Sequence, residues 1–496
     1  MSNHLPAFMS KSFSDSHLVA AAREAMVARG FEPDYPKPAL QELQSELASP
    51  PPQSDLPGTQ DLRHLLWSSI DNDTSRDLDQ IEQAERLPDS RVRVRVGIAD
   101  VTRLVPLNSA LDRHAQHNTT SVYTGVATFM MLPEQLSAGL TSLLENQDRS
   151  ALIIEFTVNE HECVEESKVY PALVNNRAQL TYRAVGAWLE GKAQAEGKLA
   201  NPDLQEQLRL QHEIAERLRR ERARHGALNL DMEESTPVIE DGHVVDLLPV
   251  RKNPASELIE DFMIAANGVV ARFLSAHKFS SIRRVVRTPK RWNRIVDLAA
   301  TLGTKLPGEP DAKALNEFLC EQRSKDPTHF PDLSLAVVKL MGPGEYVAEQ
   351  PNDPPIGHFG LAVEDYTHST APNRRYTDLV TQRLLKAILQ SQASPYSEAA
   401  LAAIAARCTL MGDAERKLER DMHKKIAAVV MSSRIGQQFN AVVTGVNSYG
   451  TFVRTLAPHV DGMLVQGQKG LDVGDRLHVK LIRTDLYRGF IDFARA

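Results

Sequence analysis

Apolar residues first recur at helical spacing. In "SDSHLVAAAREAMVARGF", Leu18, Ala21, Ala22 and Met26 share one face, Ser14 or Asp15 is placed to cap it, and Gly30 to stop it. A second short helix, "PALQELQSEL", follows with Pro38 in its first turn, and "ASPPPQSDLPGTQD" reads as a linker. Two short helices joined by a turn fit either a helix-turn-helix-like module or a helical cap on the next domain. After the linker the period changes. "RVRVRVGIADV" (91–101) alternates and then turns apolar, as a strand entering a core does, and "ALIIEFTVN" (151–159) and "ESKVYPALV" read as two more strands. "NPDLQEQLRLQHEIAERLRRERARHGALNL" predicts a long amphipathic helix ending near Gly226. "SELIEDFMIAANGVVARFLSAH" predicts a more buried one, with Leu258, Phe262, Ala265, Ala266, Val269 and Phe273 on one face. "RRYTDLVTQRLLKAILQ" and the segment from "SEAALAAIAARC" to "MSSR" predict two further helices.

The last 63 residues have another character. Short alternating segments separated by Gly and Asp, from "FNAVVTGVN" to "RGFIDFA", suggest five strands and a small closed barrel. The expected class is therefore α+β: a helical segment and linker at 1–57, a large mixed domain at 58–433, and a five-stranded barrel at 434–496.

Composition narrows the function classes. With 42% hydrophobic and 24% charged residues, the 496-residue chain is globular and long enough for several domains. No apolar run approaches the roughly 18–20 residues of a membrane span, and "MSNHLPAFMSKSF" lacks the pattern of a signal peptide. Cys163, Cys320 and Cys408 are far apart and in no metal-ligand spacing, which fits isolated thiols in a reducing cytosol. The expected setting is cytoplasmic, without a membrane, and the expected state a monomer. A net charge of −7 argues against a generally basic coat, yet the barrel carries eight Lys or Arg against five Asp, so a basic surface is local to it.

One stretch concentrates the chemistry. "SSIDNDTSRDLDQIEQ" (68–83) holds Asp71, Asp73, Asp77, Asp79 and Glu82 between two apolar segments. Three readings compete. A solvated acidic loop is the plainest, although these carboxylates precede a core-entering strand. A calcium loop matches in spacing, since Asp71, Asp73, Ser75, Asp77, Asp79 and Glu82 stand at positions 1, 3, 5, 7, 9 and 12; but Arg76 occupies the place where the turn requires Gly. The third is a catalytic site in which carboxylates hold a hard divalent cation against a phosphate.

The motifs that follow decide among these. "SIDNDTSRDLDQ" resembles the opening motif of the RNase II and RNase R family of exoribonucleases, whose catalytic unit is the RNB domain. "GIADVTRLV", "MLPEQLSAGLTSLLENQDRSALIIEFTVN", "ELIEDFMIAAN" and "HFGLAVEDYTHSTAPNRRYTDLVTQRLL" continue the resemblance in order across about 320 residues. "VVTGVNSYGTFV", "DGMLV" and "LDVGDRLHVKLIRTD" resemble the RNA-binding OB fold called S-one, which presents a basic, partly aromatic face to single strands. The resemblance implies a 3′-to-5′ exoribonuclease that hydrolyses single-stranded RNA to nucleoside 5′-monophosphates with Mg²⁺, or alternatively Mn²⁺. A decayed nuclease acting as an RNA-binding regulatory factor is the alternative.

By the same resemblance Asp71, Asp77, Asp79 and Gln80 match the metal-site positions, with Asp77 and Asp79 catalytic. Gln80 departs from the pattern, an amide where the family carries a fourth aspartate, and Asp73 is a candidate to compensate. Arg374 matches the arginine at the scissile phosphate, with Arg375 as a structural partner. Tyr123 matches a tyrosine stacking on the terminal base, Tyr182 and Glu260 match contacts further along the strand, and Glu419 matches a glutamate near the terminal nucleotide. Leu230 falls where some members carry a second stacking Phe. Asp100 is either near the metal site or structural. In the barrel Tyr449, Phe452 and His459 are candidate RNA contacts, Phe452 fitting a core position equally. The helical first 57 residues stand where family members usually carry two cold-shock barrels, which implies a wider RNA entrance.

Overall fold

The computed structural model describes residues 15–53, 56–231, 234–240, 243–250, 252–327 and 329–496. Its centre is a six-stranded mixed sheet in the order Gln60–Asp61, Val164–Thr181, Trp67–Asp71, Gln80–Arg86, Val92–Ala99, Asp148–Val158. The 18-residue strand Val164–Thr181 pairs antiparallel with Asp148–Val158 and parallel with Trp67–Asp71, so the sheet curls back on itself. Alternation explains the central strand. Val92, Val94, Val96 and Ile98 are buried, while Arg93 and Arg95 engage Glu155 on the neighbouring strand at 3.5 and 3.0 Å. The helix Pro254–Ala276, begun by an Asn253 capping box, lays Leu258, Phe262, Ala266 and Val269 into the same core.

The first two helices are Asp15–Ala28 and Lys37–Ala48, with Gly30 at φ +82° ending the first; Ser14, one of the two candidate caps, lies outside the described residues. They do not form a helix-turn-helix-like module, because they belong to two cores. Leu18, Ala22 and Met26 pack with the long helix Glu398–Ser432, the barrel and Val122, whereas Ala39 and Leu43 join the main core. A third cluster, around Trp292 and Phe318, is built by three helices between residues 292 and 341 that the hydrophobic pattern did not single out. The C-terminal strands, from Gln438–Asn447 to Phe490–Arg495, close into a five-stranded barrel, as their alternation predicts. Among the described residues no helix is long and apolar enough to cross a membrane, and all three cysteines are free.

Candidate functional site

The acidic stretch folds as strand, loop and strand. Trp67–Asp71 ends with Asp71 opposite Thr181, beside Tyr182 at the start of the helix Tyr182–Leu189. The chain turns through 72–79 and re-enters the sheet at Gln80, opposite Ile98. Leu78 is buried and pins the loop: its N–H donates to Ser142 Oγ at 2.9 Å and its carbonyl accepts from Leu143 at 3.0 Å. These fixings present Asp71, Asp77, Asp79 and Gln80 at one end of the sheet. No helices flank the loop, and Glu82 lies wholly buried in the next strand, which removes the calcium-loop reading.

Asp79, only 2% exposed, accepts the Asn373 backbone N–H at 2.9 Å, and its other oxygen lies 3.7 Å from Arg374 Nε. This contact joins the acidic loop to the turn before the helix Tyr376–Leu389. Among the described residues Arg374 makes no other ion pair and is 43% exposed, whereas Arg375 is committed to Asp378 through two hydrogen bonds of 2.9 and 2.7 Å. Tyr123, from the strand Val122–Tyr123, lies beside Asp77 in the cavity wall and leaves 40% of its surface open.

The carboxylates are held at a cost. Burial, then the Asp77 charge, pushes Asp71 up to about 6 against the pull of Arg374. Burial also raises Asp77, and it raises Asp79 to about 8 despite Arg374 and the Asn373 N–H. One oxygen each of Asp71 and Asp77 is buried without a hydrogen-bond partner. A cation is the group that such orphaned oxygens fit. Among the described residues no three His, Cys, Asp or Glu side chains gather closely enough to hold a metal ion alone. Two carboxylates suffice for Mg²⁺, which keeps several waters and takes the rest of its shell from substrate phosphate. Gln80 sits beside the pair, its amide 3.5 Å from Asp71.

A cavity of about 900 Å³ opens over this arrangement. Asp71, Asp77, Asp79, Gln80, Tyr123, Tyr182, Glu260 and Arg374 all line it, although they come from segments spread over some 300 residues. Glu419 lies next door, in a smaller cavity that shares Tyr123 and Arg374. Tyr449 stands 87% exposed beside the turn between the first two barrel strands, and Phe452 is partly exposed opposite Met463, both remote in sequence from the cavity. Other candidates point elsewhere. Asp73 is turned to Arg183 at 2.9 Å and cannot stand in for the missing aspartate. Asp100 is buried against Lys386 Nζ at 2.6 Å, a structural tie. Leu230 packs on the third helical cluster. The pattern missed Tyr366 and Asn267 in the cavity wall; Glu82, singled out with the acidic stretch, is buried in the strand rather than lining the cavity.

Comparison with known proteins agrees with this geometry. The family model described as RNB domain matches residues 59–391. The chain belongs to the RNB-domain family. A second model, the RNase II-type exonuclease C-terminal S1 domain, matches residues 437–496. Ribonuclease R of Thermotoga maritima is 31% identical over 89% of this chain and 65% of its own length. Ribonuclease R of Escherichia coli is 28% identical over 91% and 55%. The chain thus spans between about half and two thirds of these curated relatives. In fold it is similar to Mycoplasma genitalium RNase R in complex with ribose-methylated single-stranded RNA, with a TM-score of 0.85, 24% identity, and coverage of 97% of this chain and 78% of that one.

Proposed function

We propose that the chain is a divalent-metal-dependent 3′-to-5′ exoribonuclease that shortens single-stranded RNA and releases nucleoside 5′-monophosphates. The observation that carries the reading is the meeting, in one cavity, of two carboxylates with orphaned oxygens, a 43% exposed guanidinium held at 3.7 Å by Asp79 and an open tyrosine ring. The RNB family membership and the RNA-bound relative support the substrate and the direction.

Each side chain has a task. Asp71 and Asp77 would hold the cation, with Gln80 as a neutral neighbour that brings no charge. A cation there, Mg²⁺ or alternatively Mn²⁺, supplies charge to offset the phosphate and acidity to activate water. Arg374 braces the scissile phosphate with its planar fork and steadies charge developing on the oxygens. Asp79, with its carboxylate between Asn373 and Arg374, sets the direction of that fork. Tyr123 offers an open face for the terminal base. Tyr182, Glu260 and Glu419 would touch sugars and bases nearby, and Tyr449 and Phe452 would receive the strand on the barrel. The same reading divides the chain at 1–57, 58–433 and 434–496, and places it as a monomer in the cytoplasm.

The test uses a 5′-labelled single-stranded RNA with Mg²⁺, comparing wild type and Asp79→Asn, with and without chelator. A shortening ladder that ends in a short oligomer, and disappears on chelation and in the variant, is the expected result. Full-length RNA retained by the wild type, with a gel shift, would overturn it and leave an RNA-binding factor.

A further inference from the structure

A second cavity, of about 320 Å³, lies behind the first and shares Tyr123, Arg374 and Arg375 with it. Its volume falls at the lower end of the roughly 300–1,000 Å³ that small-ligand pockets occupy. Four arginines line it, and their commitments differ. Arg375 is paired with Asp378 and Arg416 with Asp413. Arg374 reaches Asp79 only at 3.7 Å. Arg284 has no carboxylate within ion-pair distance among the described residues; its guanidinium lies 4.9 Å from the Tyr346 ring centre, on the strand directly opposite.

Arg284 is a cation the fold has built a place for. Gly344 makes room for it, since a Cβ there would stand 2.6 Å from Arg284 Nη2. Burial lowers its pKa, with Arg416 and Arg375 adding to this and Tyr346 and Tyr366 opposing it, and no carboxylate takes part. A largely buried guanidinium without a counter-charge is costly unless an anion reaches it. The rest of the wall suits a polyhydroxylated guest, with Thr119, Thr120, Ser121 and Thr377 among the lining residues. Two carboxylates, Glu415 and Glu419, also line it; burial first, then Glu419, raises the pKa of Glu415 to about 8, which favours its neutral form beside an anion.

The proposed reaction makes such an anion next door. The oxygen of water bonds to phosphorus, the bond from phosphorus to the preceding nucleotide's 3′-oxygen breaks, and that oxygen takes a proton. A diester with one negative charge becomes a monoester carrying about −1.5 to −2 at pH 7. The extra charge is what an uncompensated arginine distinguishes.

We propose that the second cavity receives the departing nucleoside 5′-monophosphate, whose phosphate passes from Arg374 to Arg284 and Arg416. This rests on the exoribonuclease reading and adds a product site to it. The strand would then advance into the first cavity while the nucleotide leaves by the second.

The test is calorimetry in chelator, where no cleavage occurs, on wild type, Arg284→Gln and Arg416→Gln. The probes are adenosine 5′-monophosphate, adenosine and a single-stranded RNA oligomer. Adenosine 5′-monophosphate is expected to bind at least about tenfold more tightly than adenosine, and each substitution to weaken it about tenfold. RNA affinity should stay within about twofold, because neither arginine lines the first cavity. Monophosphate affinity that is unchanged in the variants, or that falls in step with RNA affinity, overturns the proposal. Should Arg284→Gln fail to fold by circular dichroism, the half-exposed Arg416→Gln decides alone. Absence of RNA shortening by the wild type with Mg²⁺ would sink the exoribonuclease reading separately, without altering the calorimetric comparison.

Discussion

At the scale of single residues, the site turns on charges that burial makes expensive. Gln80 is the residue where the chain leaves the family pattern, and the structure assigns no other carboxylate to its place. Asp73 is spent on Arg183, and Glu82 is buried behind the cavity wall rather than lining it. Gln80→Asp should therefore lower the Mg²⁺ concentration for half-maximal RNA cleavage by about tenfold, because affinity for hard cations follows ligand charge; a metal titration of the rate reads it. Arg374→Lys should reduce kcat by about 10²–10³ while leaving RNA affinity in chelator nearly unchanged, since a point charge replaces a fork that acts mainly in the transition state. Single-turnover rates beside gel-shift affinities separate the two effects. Glu415 carries the pH dependence. Burial and Glu419 raise it to about 8 in the folded state, from an ordinary value near 4.5. A raised folded pKa means the folded protein binds the extra proton, so the stability it contributes is complete below about 4.5 and is lost as pH rises through about 8. Wild-type Tm should fall over pH 5–8 relative to Glu415→Gln, which lacks that titration; parallel curves for the two proteins would refute it.

At the scale of elements, the short hairpin that carries Tyr123 depends on helices distant in sequence. Val122 is wholly buried in the cluster formed by Leu18, Ala22 and Met26 of the first helix and by Met422 and Ile426 of the long helix Glu398–Ser432. Tyr35, after the first helix, donates to the Met130 carbonyl at 2.7 Å, and Asn118 binds Glu32 from the other side. The N-terminal segment thus acts as a strap over the hairpin that carries Tyr123. Gly125, at φ +80°, makes the turn of the hairpin, and an added Cβ would lie 2.9 Å from Ile426. Gly125→Ala should cost about 1–2 kcal/mol from backbone strain alone. Because the clash displaces the Tyr123 loop, it should raise KM for short RNA more than it lowers Tm. Leu18→Ala should cost about 2–5 kcal/mol as a core truncation, measured by denaturant unfolding.

At the scale of the whole molecule, three hydrophobic cores hold the cavity and the barrel surface. The long helix Glu398–Ser432 ties them together, contributing Cys408 to the main core and Met422 to the core shared with the barrel. Tyr449, on the barrel and 87% exposed, offers an open ring on which a base of a long strand can stack. Tyr449→Ala should weaken binding of long single-stranded RNA by about tenfold, about 1.4 kcal/mol, within the roughly 1–3 kcal/mol of one lost stacking contact. It should leave an oligomer short enough to sit in the cavity unaffected, and fluorescence anisotropy with both lengths makes the comparison.

Much of this was legible before any coordinates. The strict alternation of "RVRVRV" and the helical spacing around Leu258 and Phe262 impose their elements by period, and local period survives in almost any tertiary setting. The order of motifs named the segments that the cavity gathers. What the sequence did not reveal depends on contacts between distant parts of the chain. Whether Asp73 and Glu82 would face the cavity was settled by the direction of a loop and the pleat of a strand. The two short N-terminal helices look like a unit in sequence because they are adjacent, yet burial of their apolar faces sends them to different cores. The second cavity with its unpaired Arg284 leaves no local pattern at all. Short-range periodicity fixes elements, whereas burial and charge compensation are sums over neighbours that only the folded chain brings together.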